Sequence, residues 1–422
     1  MKKRLVSLLV CGVLTASAVA GLTACGGGDK IKLTVWGSAA QQETLKQMVA
    51  KFEEANPDKK YDIKVSEGEE DMAYSNVGKD PSAAADVYAY SNDQLINLLR
   101  VGALAELGGT FLDDVKANNS AESVAAGSIA YGTADEKVYG YPFASDNGYF
   151  MYYDKSVLSE SDVASLETII SVCQSKGKKI GWALDVPWYV AGFFFTFGCR
   201  YGVEFDYTQN YKEGEVTIDF NSEGGIKASK AMAKLASNKT VFFGKGLDDA
   251  KITTGFTTHS MAVAVSGTWN AKKIQEILGE NYGVCKLPTV NVDGTDTQMY
   301  SFKGYKLMGV NSHSKNLVEA HKLAAFLASG AMQEVRFEKH LTGPTNTAVA
   351  NQQSIKNDKT FAALNAQNQF AVEQTSVPSN FWEPLKSYGL NIIDGLIDET
   401  GSTGANFTYQ KYLDSMVASI KN

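Results

Sequence analysis

The hydrophobic positions near the start of the chain change their spacing from one segment to the next. KIKLTVWG (Lys30–Gly37) is a largely apolar run that ends in a turn, and it predicts a buried strand. The segment after it predicts a helix, because its apolar residues recur every three or four positions along one face. These residues are Leu45, Met48, Val49 and Phe52. The pair Asn56-Pro57 is expected to end that helix.

Two further apolar runs extend this pattern. Tyr61–Val65 and Ala85–Ser91 each predict a strand, and the polar stretch between them predicts a short helix. Strand, helix and strand at this spacing form a βαβ unit, in which the strands run parallel in one sheet. The segment NDQLINLLRVGALAEL then predicts a helix that ends at Gly102. The fold class that follows is α/β.

Helical spacing returns towards the end of the chain. NLVEAHKLAAFLAS (Asn316–Ser329) and YQKYLDSMVASI (Tyr409–Ile420) each predict an amphipathic helix. The apolar stripe of the second one consists of Tyr409, Leu413, Met416, Val417 and Ile420. The sequence has no visible internal repeat, so a solenoid or propeller is not expected.

The first residues of the chain are patterned as a secretory signal. A cationic start precedes an apolar run that extends to Leu22, and small residues follow, which is the layout of a signal peptide. The cations are Lys2, Lys3 and Arg4. The segment LTACGGGD then places Cys25 where it resembles the lipobox of bacterial lipoproteins. That resemblance implies that residues 1–24 are removed and that the thiol of Cys25 carries diacylglycerol.

Residues 25–29 would then be the lipidated cysteine and a flexible glycine tether. The alternative is an uncleaved membrane anchor, since a span needs about 17–25 apolar residues. Loss of the three cations lowers the net charge from −7 to about −10, and such a surface argues against nucleic acid as a partner. The 422-residue chain exceeds the usual size of a single core, so we expect two lobes.

The cysteines and histidines do not form a recognisable chemical motif. Cys173, Cys199 and Cys285 remain after processing, and an odd number excludes a complete disulfide framework. A bridge between Cys173 and Cys199 and three buried thiols are the two alternatives. The four histidines are scattered, and we find no metal-ligand spacing, phosphate loop or nucleophile elbow. We therefore expect no cofactor and no metal.

Five segments, in the correct order, resemble the extracellular solute-binding proteins of carbohydrate ABC transporters, of the maltose/maltodextrin-binding type. They are KLTVWG followed by ANPDKKYDIKV, then AADVYAYSNDQLINLLRVGALAEL, KVYGYPFASDNGYFMYYDKS, MAVAVSGTWN and VPSNFWEPL. The resemblance covers nearly the whole chain after the signal. It implies a two-lobed periplasmic-binding-protein fold, with hinge strands between the lobes and a ligand cleft between them.

The same resemblance divides the chain into lobes and hinges. The first lobe would contain residues 30–144 and 303–346, and the second would contain residues 149–298 and 351–422. The hinges would lie near residues 145–148, 299–302 and 347–350. Closure of one lobe onto the other would be a hinge motion.

A sugar site needs aromatic rings for the apolar C–H face and polar side chains for the hydroxyl rim. Strand ends and the resemblance together nominate Trp36, Tyr90, Asn92, Asp93, Asp146, Asn147, Asp185, Trp188, Trp269, Trp382, Glu383 and Lys386. The alternatives are a helix cap for Asn92 or Asp93, a turn at Asp146 and Asn147, and core packing for the tryptophans.

The resemblance implies a lipid-anchored, monomeric binding protein on the extracellular face of the cytoplasmic membrane. It would capture an oligosaccharide, with malto-oligosaccharide as the first choice, and deliver it to the permease of an ABC transporter without being an enzyme. Ser38, Ala39 and Ala40 replace the polar pair of the family after Trp36, which disfavours maltose itself. The alternatives are another solute in the same fold (another glycan, glycerol phosphate or a polyamine), a surface glycoside hydrolase and a structural lipoprotein.

Overall fold

The computed structural model describes residues 30–129, 136–374, 376–402 and 407–422. The predicted signal peptide, Cys25 and the tether lie outside the described residues. Two five-stranded sheets organise the chain.

The first sheet combines the three strands predicted near the start of the chain, the strand Tyr141–Ala144 and one strand from much later in the chain. Its order is Tyr61–Glu67, Ile31–Gly37, Val87–Ser91, Lys306–Val310 and Tyr141–Ala144. The first three strands run parallel, as the βαβ unit predicted. Lys306–Val310 runs antiparallel to both of its neighbours.

The second sheet has the same arrangement. Its order is Phe242–Phe243, Lys179–Gly181, Met261–Ser266, Phe150–Asp154 and Tyr282–Cys285. Three parallel strands are again followed by one antiparallel strand, Phe150–Asp154, which pairs with both of its neighbours. We call the first sheet with its helices the first lobe, and the second sheet with its helices the second lobe.

Helices and short strand pairs cover the two sheets. The α-helices are Gln42–Glu54, Ala73–Val77, Leu95–Arg100, Gly109–Asn118, Ala121–Ala125, Leu166–Lys176, Pro187–Thr196, Glu223–Ser237, Asp249–Thr257, Ala271–Leu278, Leu317–Leu327, Gly330–His340, Thr347–Ala350, Gln353–Lys356, Lys359–Asn368, Trp382–Ile393 and Tyr409–Lys421. The strand pairs are Ser128–Ile129 with Lys137–Val138, Tyr201–Asp206 with Lys212–Ile218, Thr289–Val292 with Thr295–Gln298, Ser301–Lys303 with Ala371–Glu373, and Ile397–Asp398 with Phe407–Thr408.

The helices predicted from apolar spacing are confirmed. All the stripe residues of the first helix are buried in Gln42–Glu54, and all those of the last are buried in Tyr409–Lys421. The helix before Gly102 ends at Arg100, and Gly102 has a positive φ of 65°. Glycine adopts that conformation without steric cost, which explains the position of the stop.

The two lobes have separate cores. In the first lobe, Val87 and Ala89 pack into one cluster and the alternating Tyr88 and Tyr90 pack into another. Both faces of that sheet are therefore covered, as parallel sheets require. The second lobe has a single large cluster around Phe150–Asp154.

The cysteines of the described residues are free thiols, so the disulfide alternative is wrong. Cys173 and Cys199 are buried and Cys285 is half-buried. Burial raises the pKa of Cys173 and of Cys285 to about 12 and that of Cys199 to about 11. These thiols stay protonated at neutral pH and pack as small apolar side chains.

A strand pair and a hairpin connect the lobes, in addition to the chain crossing after Ala144. Ser301–Lys303 pairs in parallel with Ala371–Glu373, and the next residue, Gln374, donates its backbone N–H to the Lys303 carbonyl at 2.7 Å. The hairpin of Tyr201–Asp206 and Lys212–Ile218 also reaches the first lobe. There the Arg100 guanidinium donates to the Tyr211 carbonyl at 2.8 Å.

Candidate functional site

Three strands of the first sheet end or begin at the same edge. Val87–Ser91 ends next to Asn92 and Asp93, and Tyr141–Ala144 ends just before Asp146. The third strand, Lys306–Val310, lies between them and begins at this edge. Open α/β sheets bind ligands at the carboxyl ends of their parallel strands. This edge and the second-lobe residues that face it form the candidate site, which we call the cleft.

Asp93 is the most unusual carboxylate of the cleft. It is 6% exposed, and its Oδ2 accepts one hydrogen bond from the Gln94 amide at 3.0 Å. Its Oδ1 has no hydrogen-bond partner within 3.5 Å among the described residues, and the Gln374 side chain lies near enough to the carboxyl to oppose the effect of burial on its pKa. Burial raises the pKa of Asp93 to about 6. Gln94 rather than Asp93 precedes the helix Leu95–Arg100, and neither Asn92 nor Asp93 accepts a capping bond, so the helix-cap alternative is wrong.

Asp146 reaches both lobes. Its Oδ2 accepts from the Thr268 hydroxyl of the second lobe at 2.5 Å and from the Gly343 backbone N–H at 3.2 Å. Its Oδ1 has no partner among the residues that the structure describes. The cleft thus contains two buried carboxylate oxygens, one from Asp93 and one from Asp146, that have no hydrogen-bond donor among the described residues.

The amides of Asn92 and Asn147 are held by protein groups. The Asn92 Nδ2 donates to the Gln374 carbonyl at 2.5 Å, and its Oδ1 accepts from the Tyr305 backbone N–H at 3.1 Å. The Asn147 Nδ2 donates to the Gln374 Oε1 at 3.3 Å. These two predicted ligand residues therefore also hold Gln374, the residue that follows the strand Ala371–Glu373.

Three of the predicted tryptophans form an aromatic group with Phe302. Trp188 is half-buried, its ring lies at 8° to the Phe302 ring, and their centroids are 6.3 Å apart. Trp269 is 38% exposed, with its ring centroid 6.0 Å from that of Trp188. The ring centroid of Trp382 is 6.1 Å from that of Phe302.

The helix Pro187–Thr196 positions Trp188. Pro187 is its first residue, where a missing N–H costs nothing. Gly192 lets the helix approach the second sheet, because a Cβ at this position would lie 2.1 Å from the Tyr149 hydroxyl. The indole N–H of Trp188 donates to the Gln374 Oε1 at 2.8 Å. The ring is therefore oriented before any ligand arrives.

The remaining predicted site residues make other contacts. Tyr90 is completely buried in the first lobe, and Trp36 is half-buried against the same cluster. Asp185 accepts from the Gly246 backbone N–H at 2.5 Å. Glu383 and Lys386 are exposed and pair with each other on the helix Trp382–Ile393, with 3.8 Å between their charged atoms.

Sequence reasoning missed Gln374 and Lys306. The Gln374 side chain accepts from both Trp188 and Asn147, and Lys306 pairs with Ser91 and Ala144 at the cleft edge. A polar residue shortly before the late tryptophan segment was the one available signal for Gln374. Lys306 begins an antiparallel strand, so its position at the edge follows only from the strand order.

The described part of the chain has no cluster of His, Cys, Asp or Glu that could hold a metal ion. Within those same residues, no helix is both long enough and apolar enough to cross a membrane.

Residues 47–363 match the family described as bacterial extracellular solute-binding protein. The chain is also 26% identical to the galactooligosaccharide-binding protein of Bacillus subtilis (strain 168), over 94% of each chain.

Solved structures share the fold over nearly the whole length. One, determined with acarbose, is 30% identical, covers 93% of this chain and 99% of its own, and has a TM-score of 0.79. The maltodextrin-binding protein of L. casei BL23, solved without ligand, is 25% identical, covers 94% of this chain and 100% of its own, and has a TM-score of 0.73. The predicted fold class, a two-lobed α/β periplasmic-binding-protein fold, is confirmed.

Proposed function

Because the chain belongs to the bacterial extracellular solute-binding proteins, we propose that it captures an oligosaccharide in the cleft and delivers it to the permease of an ABC transporter. Members of this family are binding proteins rather than enzymes, so the chain is not a glycoside hydrolase. Family membership also places it outside the cytoplasm. No bond of the ligand is made or broken in this role.

One observation carries the proposal: unpartnered carboxylate oxygens and aromatic rings meet in the cleft. Asp93 and Asp146 each keep one buried oxygen free. Thr268, which precedes Trp269, donates to Asp146, and Trp188 and Asn147 both donate to the Gln374 Oε1. A pyranose has hydroxyls that donate to such oxygens and a C–H face that packs on such rings. Both kinds of partner are therefore available to one sugar unit.

Malto-oligosaccharide is our first choice of ligand, and galacto-oligosaccharide is the second. The first is supported by the 25% identical maltodextrin-binding structure, and the second by the 26% identical galactooligosaccharide-binding relative. Both relatives cover nearly the whole chain.

We propose that capture closes the two lobes by hinge motion. The first lobe would contain residues 30–144 and 303–346, and the second residues 149–298 and 351–422, with hinges near 145–148, 299–302 and 347–350. The pairing of Ser301–Lys303 with Ala371–Glu373 supports a crossing near the second of these hinges. We propose that the protein acts as a monomer.

Thermal melting of the chain begun after Cys25 tests the ligand. A ligand that binds only the folded state adds about 2.7 kcal/mol to the free energy of unfolding at a concentration of 100 times its Kd. We expect the melting temperature to rise with maltotriose to maltoheptaose and with galacto-oligosaccharides, and not with glycerol 3-phosphate or spermidine. A response to either of the last two alone would contradict the proposal.

We also propose that diacylglycerol on Cys25 anchors the protein to the outer face of the cytoplasmic membrane. The support is the lipobox-like sequence LTAC before the glycine tether. Changing Cys25→Ala removes the thiol, so we expect the full-length variant to carry no lipid. Mass spectrometry and membrane fractionation measure this, with Cys173→Ala as the matched control. Equal lipid content in the wild type and Cys25→Ala would contradict the anchor.

A further inference from the structure

Lys306 lies at the cleft edge of the first sheet, between the strands that carry the two free carboxylate oxygens. It pairs with Ser91 on one side and with Ala144 on the other. Asp93 and Asp146 each follow within two residues of these partners. Because its strand runs antiparallel, Lys306 begins where the two neighbouring strands end.

The ammonium of Lys306 interacts with carboxylates at a distance. Burial and the charges of those carboxylates set its pKa, with no hydrogen bond from Lys306 to any of them. Burial lowers the pKa of Lys306, but the attraction of Glu70, Asp146, Asp71 and Glu69 outweighs it and raises the pKa above its ordinary value. The group is therefore a cation with three unused N–H donors.

Lys306 also reaches across to the second lobe. Its Nζ is 5.9 Å from the ring centroid of Trp269, within the range of a cation–π contact. Trp269 is partly exposed, and its indole N–H is engaged by Asp249 at 3.1 Å. The ring is thus fixed by one group and faces the Lys306 ammonium.

We propose that Lys306 contacts the ligand directly, donating hydrogen bonds to the hydroxyl oxygens of a sugar unit packed on Trp269, and that the carboxylates around Lys306 make the cleft selective for uncharged saccharides. This inference rests on the proposed function. It deepens that function by assigning a residue and a charge class of ligand that sequence reasoning did not find.

The selectivity follows from the hydrogen-bonding capacity of each ligand group. A hydroxyl can accept from the ammonium and donate to a neighbouring carboxylate at the same time. A uronate carboxylate can only accept, and it would enter a region where four carboxylates act on the single Lys306 cation. Repulsion between like charges disfavours that ligand.

The test uses Lys306→Met, which keeps the length of the side chain and removes the charge. Calorimetric titration with maltotriose, galactotriose and trigalacturonate compares it with the wild type. Hydrogen bonds to charged groups carry enough energy that we expect binding of the neutral ligand to weaken about 10- to 100-fold. Wild-type protein should bind galactotriose at least tenfold more tightly than trigalacturonate.

Two further variants keep the result interpretable. Lys64→Met changes an exposed lysine on the outer strand of the same sheet and should leave the Kd unchanged. Lys306→Gln retains a donor without charge, and it replaces Lys306→Met if melting shows that the latter is unfolded. A Kd within twofold of the wild type in a folded Lys306 variant would overturn this inference alone. Failure of the wild type to bind any saccharide would overturn the proposed function as well.

Discussion

The variant Asp93→Asn is expected to bind its oligosaccharide about 10- to 100-fold more weakly than the wild type, while its ligand-free form is more stable at neutral pH. The Asp93 carboxylate is buried, and its Oδ1 has no partner among the described residues. Such an oxygen costs free energy until a ligand hydroxyl donates to it. Asparagine has nearly the same shape and removes the charge, so it weakens the ligand contact and relieves the cost together.

The pH dependence gives the sign of the stability effect. Burial raises the pKa of Asp93 to about 6, against an ordinary value of 3.8. The stabilisation of the folded state by the protonated carboxyl is fully present below about pH 4 and is lost as the pH rises through about 6. At pH 7.5 the carboxylate lowers the free energy of unfolding by about 3 kcal/mol, at roughly 1.4 kcal/mol per pKa unit. The advantage of Asp93→Asn should therefore shrink as the pH falls towards 4.

Thermal melting across this pH range and calorimetric titration measure the two effects. Asp398→Asn is the matched control, for which we expect the opposite change in stability. The hydroxyl of Ser402 and backbone N–H groups donate to the Asp398 carboxylate and lower its pKa to about 2. Removing that charge should lower the melting temperature at neutral pH. An Asp93→Asn variant that melts below the wild type at pH 7.5, or binds as tightly, would contradict the role assigned to Asp93.

The variant Trp188→Ala is expected to lose at least 30-fold in oligosaccharide affinity. Truncating a tryptophan at the centre of a binding surface typically costs 2 kcal/mol or more, and about 1.4 kcal/mol is a tenfold change. The Trp188 ring contacts Tyr149, Trp269 and Phe302, with centroid distances of 4.7, 6.0 and 6.3 Å. Its loss would remove the stacking surface and leave the Gln374 Oε1 without its indole donor.

Two further variants identify the source of this loss. One distinguishes the aromatic ring of Trp188 from its indole N–H, and the other is a control for core packing. Trp188→Phe keeps an aromatic face and removes the hydrogen bond to Gln374, so we expect a smaller loss of affinity than for Trp188→Ala. Trp182→Phe changes a buried tryptophan in the second-lobe core and should lower the melting temperature while leaving the Kd within about threefold. If Trp182→Phe weakened binding as much as Trp188→Ala, the effect would come from the core and not from the ring of Trp188.

The sequence by itself determined the structural features that depend on residues close together in the chain, such as helices and the direction of successive strands. The spacing of Leu45, Met48, Val49 and Phe52 predicts their burial, because positions three and four apart share one face of a helix. The βαβ pattern predicts three parallel strands, because each connecting helix returns the chain to the end of the sheet where the previous strand began. Motif order predicts the two-lobed fold, and the family match confirms it.

The composition of the cleft was decided by the tertiary structure. Asp93 and Asp146 are 53 positions apart in the sequence, yet the sheet brings their strand ends to one edge, with Lys306 between them. Tyr90 packs into a core cluster on one of the two covered faces of its strand, and Glu383 and Lys386 lie on the exposed face of their helix. The sequence shows which residues at the end of a strand or helix are polar or aromatic. Which of them share a cavity depends on strand order and on packing between lobes, and these are set by contacts between distant segments.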